Sequence, residues 1–398
     1  MVRLMIIDNA YYFYNQKIYQ TREQAFDDML LSKDYNGVLE FHFHENVFRK
    51  FDWSTEPEVS IDTLYKLRAQ QLRSKYKYLI LAFSGGSDST QILQTCLKNN
   101  IFIDEIQITH HRSLIAKLDQ FAMIKDNELS QFLEYDYAVE PMLKKVKELS
   151  PNTKITSLDA GEFTYDQYVN QKFKHINSDD DVPNNTQKLY SFMPKTTLYY
   201  LNYYNMRIKN PPPDSCLIRG FEKPVVIVHD NQEVVFMFND MILHSFHKKI
   251  FDNFTIENFY WSKDAPLIPI KQSHMIKSAL ENQQKFFVVF DACVQKIRNH
   301  TDNKSYSPAI MIERAFSKII YPDWDPNTYA TMKAINKPPE FKLLEHLGID
   351  HYTNEFLKEL GKEKEKKFAS LQNKKQFRDI LYTNPYVIGK FKPRWKIS

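Results

Sequence analysis

One stretch of this chain constrains its fold more than any other. A continuous apolar run, KYLILAF at 77–83, leads without a break into SGGSDSTQILQTCLKNN. Apolar runs of this length suit parallel strands that are buried on both faces. In the segment that follows, apolar residues recur at the spacing of one helix face: Ile92, Leu93, Cys96 and Leu97. A second apolar strand, IDEIQIT at 103–109, comes next, so the order predicts a right-handed βαβ unit.

The residues around this unit extend the same pattern. IDTLYKLRAQQLRSKY predicts a helix over 61–76 with Ser60 as its cap. A second helix is expected at roughly 127–149, and TKITSLDAG at 153–161 predicts a third strand whose carboxyl end is at Asp159. Strands that alternate with helices indicate an α/β fold with a doubly wound parallel sheet.

The flanking regions differ in pattern. RLMIID and VLEFHFHENV predict a small antiparallel sheet near the N-terminus, and GFEKPVVIVHDNQEVVFMFND predicts a hairpin that turns at Asp230 and Asn231. A polar loop (175–187) and a Tyr-rich helix (189–207) are expected between the third strand and this hairpin. The predicted organisation is a β region (1–60), an α/β domain (61–285) with an insertion (175–240), and a mainly helical C-terminal region (286–398).

Composition excludes several classes of protein. The three cysteines, Cys96, Cys216 and Cys293, lie far apart, so neither a zinc or iron–sulfur site nor a disulfide framework is expected. No apolar stretch reaches the roughly 18 residues that cross a bilayer. We therefore expect a soluble protein of the cytoplasm with no membrane partner. Only 8 of the 398 residues are glycine, and two of these, Gly85 and Gly86, are adjacent.

The adjacent glycines lie in a loop with the chemistry of a phosphate site. Glycine lets the backbone approach a ligand without a Cβ atom in the way. The N–H groups at the start of the following helix and its dipole favour an anion. Four hydroxyls are expected to converge on the same point, those of Ser84, Ser87, Ser89 and Thr90. Neither GxxxxGK[ST] nor GxGxxG occurs in the loop, so it is not a Walker A loop or a dinucleotide fingerprint.

The loop matches SGGxDS, and in this the chain resembles the PP-loop ATP pyrophosphatases (adenine nucleotide alpha hydrolase-like), nearest the synthetase domain of asparagine synthetases. The resemblance implies a five-stranded parallel α/β domain that binds ATP and Mg²⁺ and cleaves ATP to AMP and pyrophosphate. It implies that the pyrophosphate end is held by Ser84, Gly85, Gly86, Ser87, Asp88 and Ser89, with Thr90 beside them. Asp88 would be the Mg²⁺-linked carboxylate, and it could also cap the helix.

The same resemblance implies further site residues. The backbone near Ile108 and Thr109 would face the adenine. Lys271, which opens a helix after Pro266 and Pro269, matches the position of a lysine that offsets charge in the transition state. Lys223 is a second candidate for that role, and Arg219 a weaker one. His110 and His111 follow the second strand, where solvated histidines are more common than catalytic ones.

Missing residues narrow the branch of the family. Position 2 is Val, where the glutamine-dependent members expose a nucleophilic cysteine, and the cysteines that the thiolating, reducing and zinc-containing members need are not present. What remains is an AMP-forming ligase that adenylates a carbonyl or carboxyl group of a small-molecule or nucleotide substrate and forms a C–N bond. Its nitrogen would come from ammonia, an amine substrate or another chain.

The C-terminal end supports an alternative. Residues Lys358 to Ser398 hold 12 Lys/Arg and 4 Asp/Glu, and the last stretch interleaves lysines with Phe391 and Trp395. An amphipathic helix followed by a solvated basic end is one interpretation; the other is a surface that tracks nucleic acid with stacking. The chain could then be an ATP-binding, nucleic-acid-associated protein without turnover, or one in which the loop is a relic. The composition also resembles that of large tailed bacteriophages, which would place the protein in the host cytoplasm.

Overall fold

The computed structural model describes residues 10–20, 22–32, 37–110, 113, 135–159, 161, 212–220, 222, 224–229, 231–240, 255–288, 290–291, 317–324 and 381–395. Its strands are β1 (Tyr11–Tyr14), β2 (Lys17–Tyr19), β3 (Glu40–His42), β4 (Tyr78–Ala82), β5 (Glu105–His110), β6 (Lys154–Asp159), β7 (Ser215–Arg219), β8 (Val225–Val228), β9 (Glu233–Met237), β10 (Thr255–Asn258) and β11 (Tyr386–Lys390). Its α-helices are α1 (Arg22–Ser32), α2 (Glu45–Phe48), α3 (Ile61–Lys75), α4 (Ser87–Lys98), α5 (Glu140–Leu149) and α6 (Leu267–Asn282), and a π-helical turn (Tyr135–Val139) precedes α5.

The central element is a five-stranded sheet in the order β10-β7-β4-β5-β6, and every pair in it is parallel. The α/β class is therefore confirmed, and the sheet is compatible with a doubly wound fold. β4, β5 and β6 lie where the sequence predicts strands. From β4 the chain moves outward through β5 to β6, and it then returns to the other side of β4 with β7 and β10.

β7 and β10 are strands that the sequence analysis did not identify. β7 lies inside the segment 175–240, which was expected to be an insertion, so the central sheet takes one of its strands from that segment. β7 has five residues, and all five are buried. β10 is an edge strand with the polar sequence TIEN, so it lacks the apolar run by which a buried strand is recognised.

Local signals explain the helices that flank β4. Ser60 begins α3 because its side-chain oxygen accepts a hydrogen bond from the Thr63 N–H at 3.2 Å, which confirms the expected cap. The helix predicted over 127–149 is partly described: a π-helical turn and α5 cover 135–149, and residues 127–134 lie outside the described residues. The expected loop 175–187 and helix 189–207 also lie outside the described residues.

The N-terminal region contains an antiparallel sheet in the order β2-β1-β3. The expected strand VLEFHFHENV is only partly a strand, because β3 ends at His42 and α2 begins at Glu45. Between them His44 has φ 43°, a left-handed conformation that interrupts an extended chain. The segment RLMIID, also expected to be a strand, lies outside the described residues.

The predicted hairpin is confirmed by β8 and β9, which pair antiparallel, and β11 adds a third strand beside β9. One continuous cluster of buried residues includes side chains from the N-terminal sheet, the central sheet and the last strand. Phe391 is fully buried in this cluster, and the Trp395 ring lies 5.7 Å from the Phe287 ring. Phe391 is therefore not available to stack on bases, whereas Trp395 is half-buried. The amphipathic helix expected over 357–381 lies almost wholly outside the described residues.

Candidate functional site

The loop after β4 is built as a turn from strand to helix. Phe83 extends the pairing of β4, since its N–H donates to the Gln107 carbonyl at 2.9 Å. Gly86 is the N-cap of α4, and because it has no side chain it makes no capping hydrogen bond to the helix. The helix then begins at once, because the Thr90 N–H donates to the Gly86 carbonyl at 3.0 Å. The open N-terminus of α4 is therefore a position that favours an anion.

The two glycines of the loop have different roles. Gly85 has φ +81°, a backbone conformation that residues other than glycine rarely adopt. A Cβ atom there would also lie 2.9 Å from Val139 Cγ2 and 3.0 Å from Ala138 Cβ, both in the π-helical turn. Gly86 has φ −67°, an ordinary value. Gly85 is thus required by the fold of the loop, whereas Gly86 leaves the helix end uncovered.

Hydroxyl groups brace the loop from inside. Ser84 Oγ and Ser89 Oγ lie 3.3 Å apart, and the Gly86 N–H donates to Ser84 Oγ over the same distance. The Thr90 hydroxyl donates to the Gly85 carbonyl at 3.1 Å, so it shapes the loop instead of pointing to a ligand. Ser87 and Ser89 are buried, and Ser84 is exposed. Of the four hydroxyls that were expected to converge, that of Ser84 is the most accessible to an anion.

The position of the loop in the sheet matches a ligand site of open α/β folds. Such folds bind ligands outside the carboxyl ends of the strands, at the point where the strand order reverses. Here the order reverses between β4 and β7, which are neighbours in space although two strands separate them in sequence. The end of β7 packs tightly there: a Cβ atom on Gly220 would lie 2.4 Å from Ile92 Cδ1 and 3.0 Å from the Tyr260 ring.

A gap opens on the other side of β4. The last residue pair between β4 and β5 is Ala82 with Gln107, while β5 stays paired with β6 as far as His110. Ile108 and Thr109 therefore extend past the end of β4, beside the loop, and are paired only with β6. Ile108 is buried and Thr109 is half-buried.

Asp159 organises the ends of β5 and β6. Its carboxylate accepts hydrogen bonds from the Ser113 N–H at 3.0 Å, the Ser113 hydroxyl at 2.9 Å and the Gly161 N–H at 2.9 Å. His110 Nδ1 lies 3.7 Å from the same carboxylate. Burial opposes ionisation, but these donors and the His110 ring keep the pKa of Asp159 below its usual value. His110, which was expected to be solvated, is mostly covered.

Asp88 lies in the first turn of α4, where three tyrosines surround it. The Tyr260 hydroxyl donates to the Asp88 carbonyl at 2.7 Å. The Tyr321 hydroxyl donates to the Glu222 carbonyl at 3.4 Å, and both Tyr321 and Tyr65 lie close enough to Asp88 for its charge to raise their pKa. Burial, together with the Asp88 charge, raises the pKa of all three phenols well above the usual value, so they remain protonated donors. Nothing in the sequence around these tyrosines marks them as neighbours of the loop.

The two candidate lysines have different outcomes. Lys271 Nζ contacts Glu56 Oε1 at 2.6 Å and the Pro57 carbonyl at 2.8 Å, and its described ion pairs and hydrogen bonds include none with the loop. Lys223 lies outside the described residues, between Glu222 and Pro224, which are both buried just after β7. Ile108 and Thr109 therefore lie beside the end of β4, from which the 84–90 loop leaves, and the described polar contacts of Lys271 are with Glu56 and Pro57.

In the described part of the chain, no group of three or more His, Cys, Asp or Glu side chains could hold a metal ion. None of its helices combines the length and the apolar character needed to cross a bilayer. Comparison of the chain with models of protein families, with curated proteins and with solved structures gives no match.

Proposed function

We propose that the chain is an AMP-forming ATP pyrophosphatase of the PP-loop type, which adenylates a carbonyl or carboxyl group and then forms a C–N bond. The observation that carries the proposal is the position of SGGSDS. This loop follows the central strand of a five-stranded parallel sheet, next to the point where the strand order reverses, and it opens directly into α4. Motif, topology and open helix end all favour a bound phosphate group.

The donor set fits the phosphates of ATP. The N–H groups in the first turn of α4 and the exposed Ser84 hydroxyl offer donors, and Asp88 is the one acidic residue between Ser84 and Thr90. Mg²⁺ is commonly bound by one or two carboxylates together with substrate phosphates and water, and not by a cage made only of protein. The single carboxylate of Asp88 is therefore compatible with Mg²⁺ that is bound together with ATP.

The reaction requires that the negative charge of the departing pyrophosphate be neutralised. An oxygen of the substrate bonds to the α-phosphorus while the bond from that phosphorus to the bridging oxygen breaks, which releases pyrophosphate. The nitrogen nucleophile then bonds to the activated carbon, and AMP leaves with the substrate oxygen. N–H donors at the start of α4 would hold the departing pyrophosphate, and a lysine would add positive charge. Lys223 is favoured for this role because its sequence neighbours follow β7, whereas Lys271 is engaged by Glu56.

Three further parts of the proposal rest on the sequence alone. The acceptor is a small molecule or a nucleotide, and ammonia, an amine or another chain supplies the nitrogen. The composition that resembles phage proteins would place the reaction in the host cytoplasm. The alternative function, an ATP-binding protein associated with nucleic acid, rests on the basic residues of 358–398, of which Lys390, Lys392 and Arg394 are described and exposed; Phe391 is buried.

The test is a product analysis. The protein is incubated with ATP labelled at the α-phosphate, Mg²⁺, ammonium and a panel of carboxylic acids and nucleotides. The proposal predicts labelled AMP and free pyrophosphate, and ADP as the sole product would contradict it. Asp88→Asn should lose the activity, while Asp62→Asn, which alters an exposed carboxylate at the start of α3, should retain it.

A further inference from the structure

A groove lies on the surface between the segment 51–59, which joins α2 to α3, and the start of α6. Its volume is about 430 Å³, within the range of about 300–1,000 Å³ that is typical of ligand pockets. Phe51 and Val59 line the groove from the segment, and Leu267 and Ile270 line it from α6. None of the residues 84–90 is among those that line it, so the proposed nucleotide site does not account for this groove.

The apolar side chains near the two ends of the segment are exposed to water. Phe51 and Val59 are each 37% exposed, whereas Ile270 on the facing wall is buried. Single exposed apolar residues are ordinary on a protein surface, but apolar residues that share a concave site are typical of an interaction surface. The groove therefore holds apolar surface that a bound partner would remove from water.

Hydrogen bonds fix the segment against α6. The Trp53 side chain is buried, and its carbonyl lies 2.9 Å from His274 Nε2 in α6. Lys271, from the same helix, donates to the Glu56 carboxylate at 2.6 Å and to the Pro57 carbonyl at 2.8 Å. These contacts join the two walls, so the groove has its shape before a partner binds. A preformed site lowers the entropy that binding costs.

The charge of the segment has one sign. Residues 51–59 include three carboxylates, those of Asp52, Glu56 and Glu58, and no Lys or Arg. Glu56 is engaged by a lysine of α6, whereas Asp52 and Glu58 line the groove and form no ion pair within the described part of the chain. Hydroxyl and N–H donors from the residues that follow hold the pKa of Asp52 below its usual value, so it is charged at neutral pH.

Apolar and acidic groups alternate along the groove. Phe51 precedes Asp52, and Val59 follows Glu58, so each exposed apolar side chain has a carboxylate as its neighbour in sequence. An occupant that complements both pairs carries apolar groups with positive charges beside them at two places. A peptide with basic and large apolar residues side by side meets this requirement, whereas an alkylamine offers a single charge. The bonds from Lys271 show that this segment accepts an ammonium group.

We propose that the groove is a docking site for a basic, apolar peptide segment of a partner protein. The apolar side chains of that peptide cover Phe51, Val59 and the wall of α6, and its Lys or Arg side chains face Asp52 and Glu58. Burial of apolar surface supplies most of the affinity. The exposed carboxylates select the charge of the partner, because such ion pairs contribute little energy but favour one sign.

The experiment selects peptides from a displayed random library on the immobilised full chain. A selected peptide is then synthesised, and its binding is measured by fluorescence anisotropy at low and at moderate salt. The selected sequences should place Lys or Arg beside large apolar residues. Phe51→Ser should weaken binding by about tenfold. Glu58→Gln should weaken it by about threefold and reduce its dependence on salt.

The matched control is Phe102→Ser. Phe102 lies outside the groove and is 39% exposed, close to the 37% of Phe51, so this variant removes a similar ring without touching the site. It should bind the selected peptide like wild type. Thermal unfolding of all three variants checks that they fold.

Several results would overturn the proposal. One is a library that yields no enriched peptide, or a peptide that binds Phe51→Ser as tightly as wild type. Enriched peptides that are acidic or uncharged would contradict the role of the carboxylates. Displacement of the peptide by hexylammonium at equal affinity would make a small amine the occupant. A dimer that forms with rising concentration and is lost in Phe51→Ser would make a second copy of the chain the occupant.

Discussion

Two regions of the chain carry sequence patterns that suit a bound phosphate group, and the two regions fold in different ways. In the loop 84–90, the groups that favour an anion remain at the uncapped end of α4. In the last stretch, 386–395, Phe391 is buried, and the chain is fixed by pairing of β11 with β9 and by bonds from the Lys392 and Arg394 N–H groups to Glu281. The pattern of the loop persists in the fold because backbone geometry makes it. The alternating pattern of the last stretch depends on its side chains, and one of them, Phe391, is buried in the core.

The largest effect should come from the last stretch. Phe391→Ala removes a fully buried ring that packs 5.6 Å from Phe290, so the free energy of unfolding should fall by about 3–5 kcal/mol. Urea unfolding measures the loss. A loss below about 1 kcal/mol would mean that the ring is exposed in solution, and the comparison between the two regions would fail.

Gly85→Ala should give the next largest effect. The variant combines a positive φ with a clash against Ala138 and Val139, so we expect a loss of about 2–3 kcal/mol in stability and of ATP binding. The matched control is Gly389→Ala in β11. Its φ is +140°, but a Cβ atom there would meet only Lys277 Cε at 3.8 Å, so a loss of about 1 kcal/mol with ATP binding retained is expected. If Gly85→Ala and Gly389→Ala changed ATP binding equally, the difference between the loop and the last stretch would be contradicted.

A pH effect should come from Asp159. Its pKa in the folded protein is lowered from the ordinary value of 3.8, so it contributes stability that is present above pH 4 and lost as pH falls below it. Asp159→Asn should flatten the decline in stability between about pH 4 and pH 2, measured by urea unfolding at several pH values. An unchanged acid profile would show that the bonds from Ser113 and Gly161 do not depend on the charge.

The smallest effect concerns the basic end. Exposed charges contribute little to stability, so Lys392→Gln with Arg394→Gln should change the free energy of unfolding by less than about 0.5 kcal/mol. If the end binds nucleic acid, the same double variant should weaken binding and reduce its salt dependence. Unchanged affinity would show that Lys392 and Arg394 take no part in such binding. These substitutions remove the two charges and keep β11, whereas a deletion of the tail would remove that strand.

The sequence predicted the elements that have strong local signals. β4, β5 and β6 have apolar runs or clear ends, Ser60 caps α3, and the loop and its helix follow from Gly85 and Gly86. β10 was missed because an edge strand needs no apolar face. The three tyrosines near Asp88 were missed for another reason: Tyr65, Tyr260 and Tyr321 meet only through the tertiary fold, and no spacing in the chain links them. Residues that meet across a sheet end leave no local pattern.

The same reasoning explains Lys271. Its sequence context, two prolines and the start of a helix, is present in the structure as α6. The direction of its side chain depends on Glu56 and the Pro57 carbonyl, which lie far away in sequence. The element was predictable, whereas the contact was not.

A crystal structure of the full chain with ATP and Mg²⁺ tests the central claim most directly. The account predicts that phosphate oxygens lie about 2.7–3.2 Å from backbone N–H groups at the start of α4 and from Ser84 Oγ, with the adenine beside Ile108 and Thr109. Nucleotide bound at another edge of the sheet, or a loop with no nucleotide at saturating ATP, would contradict it.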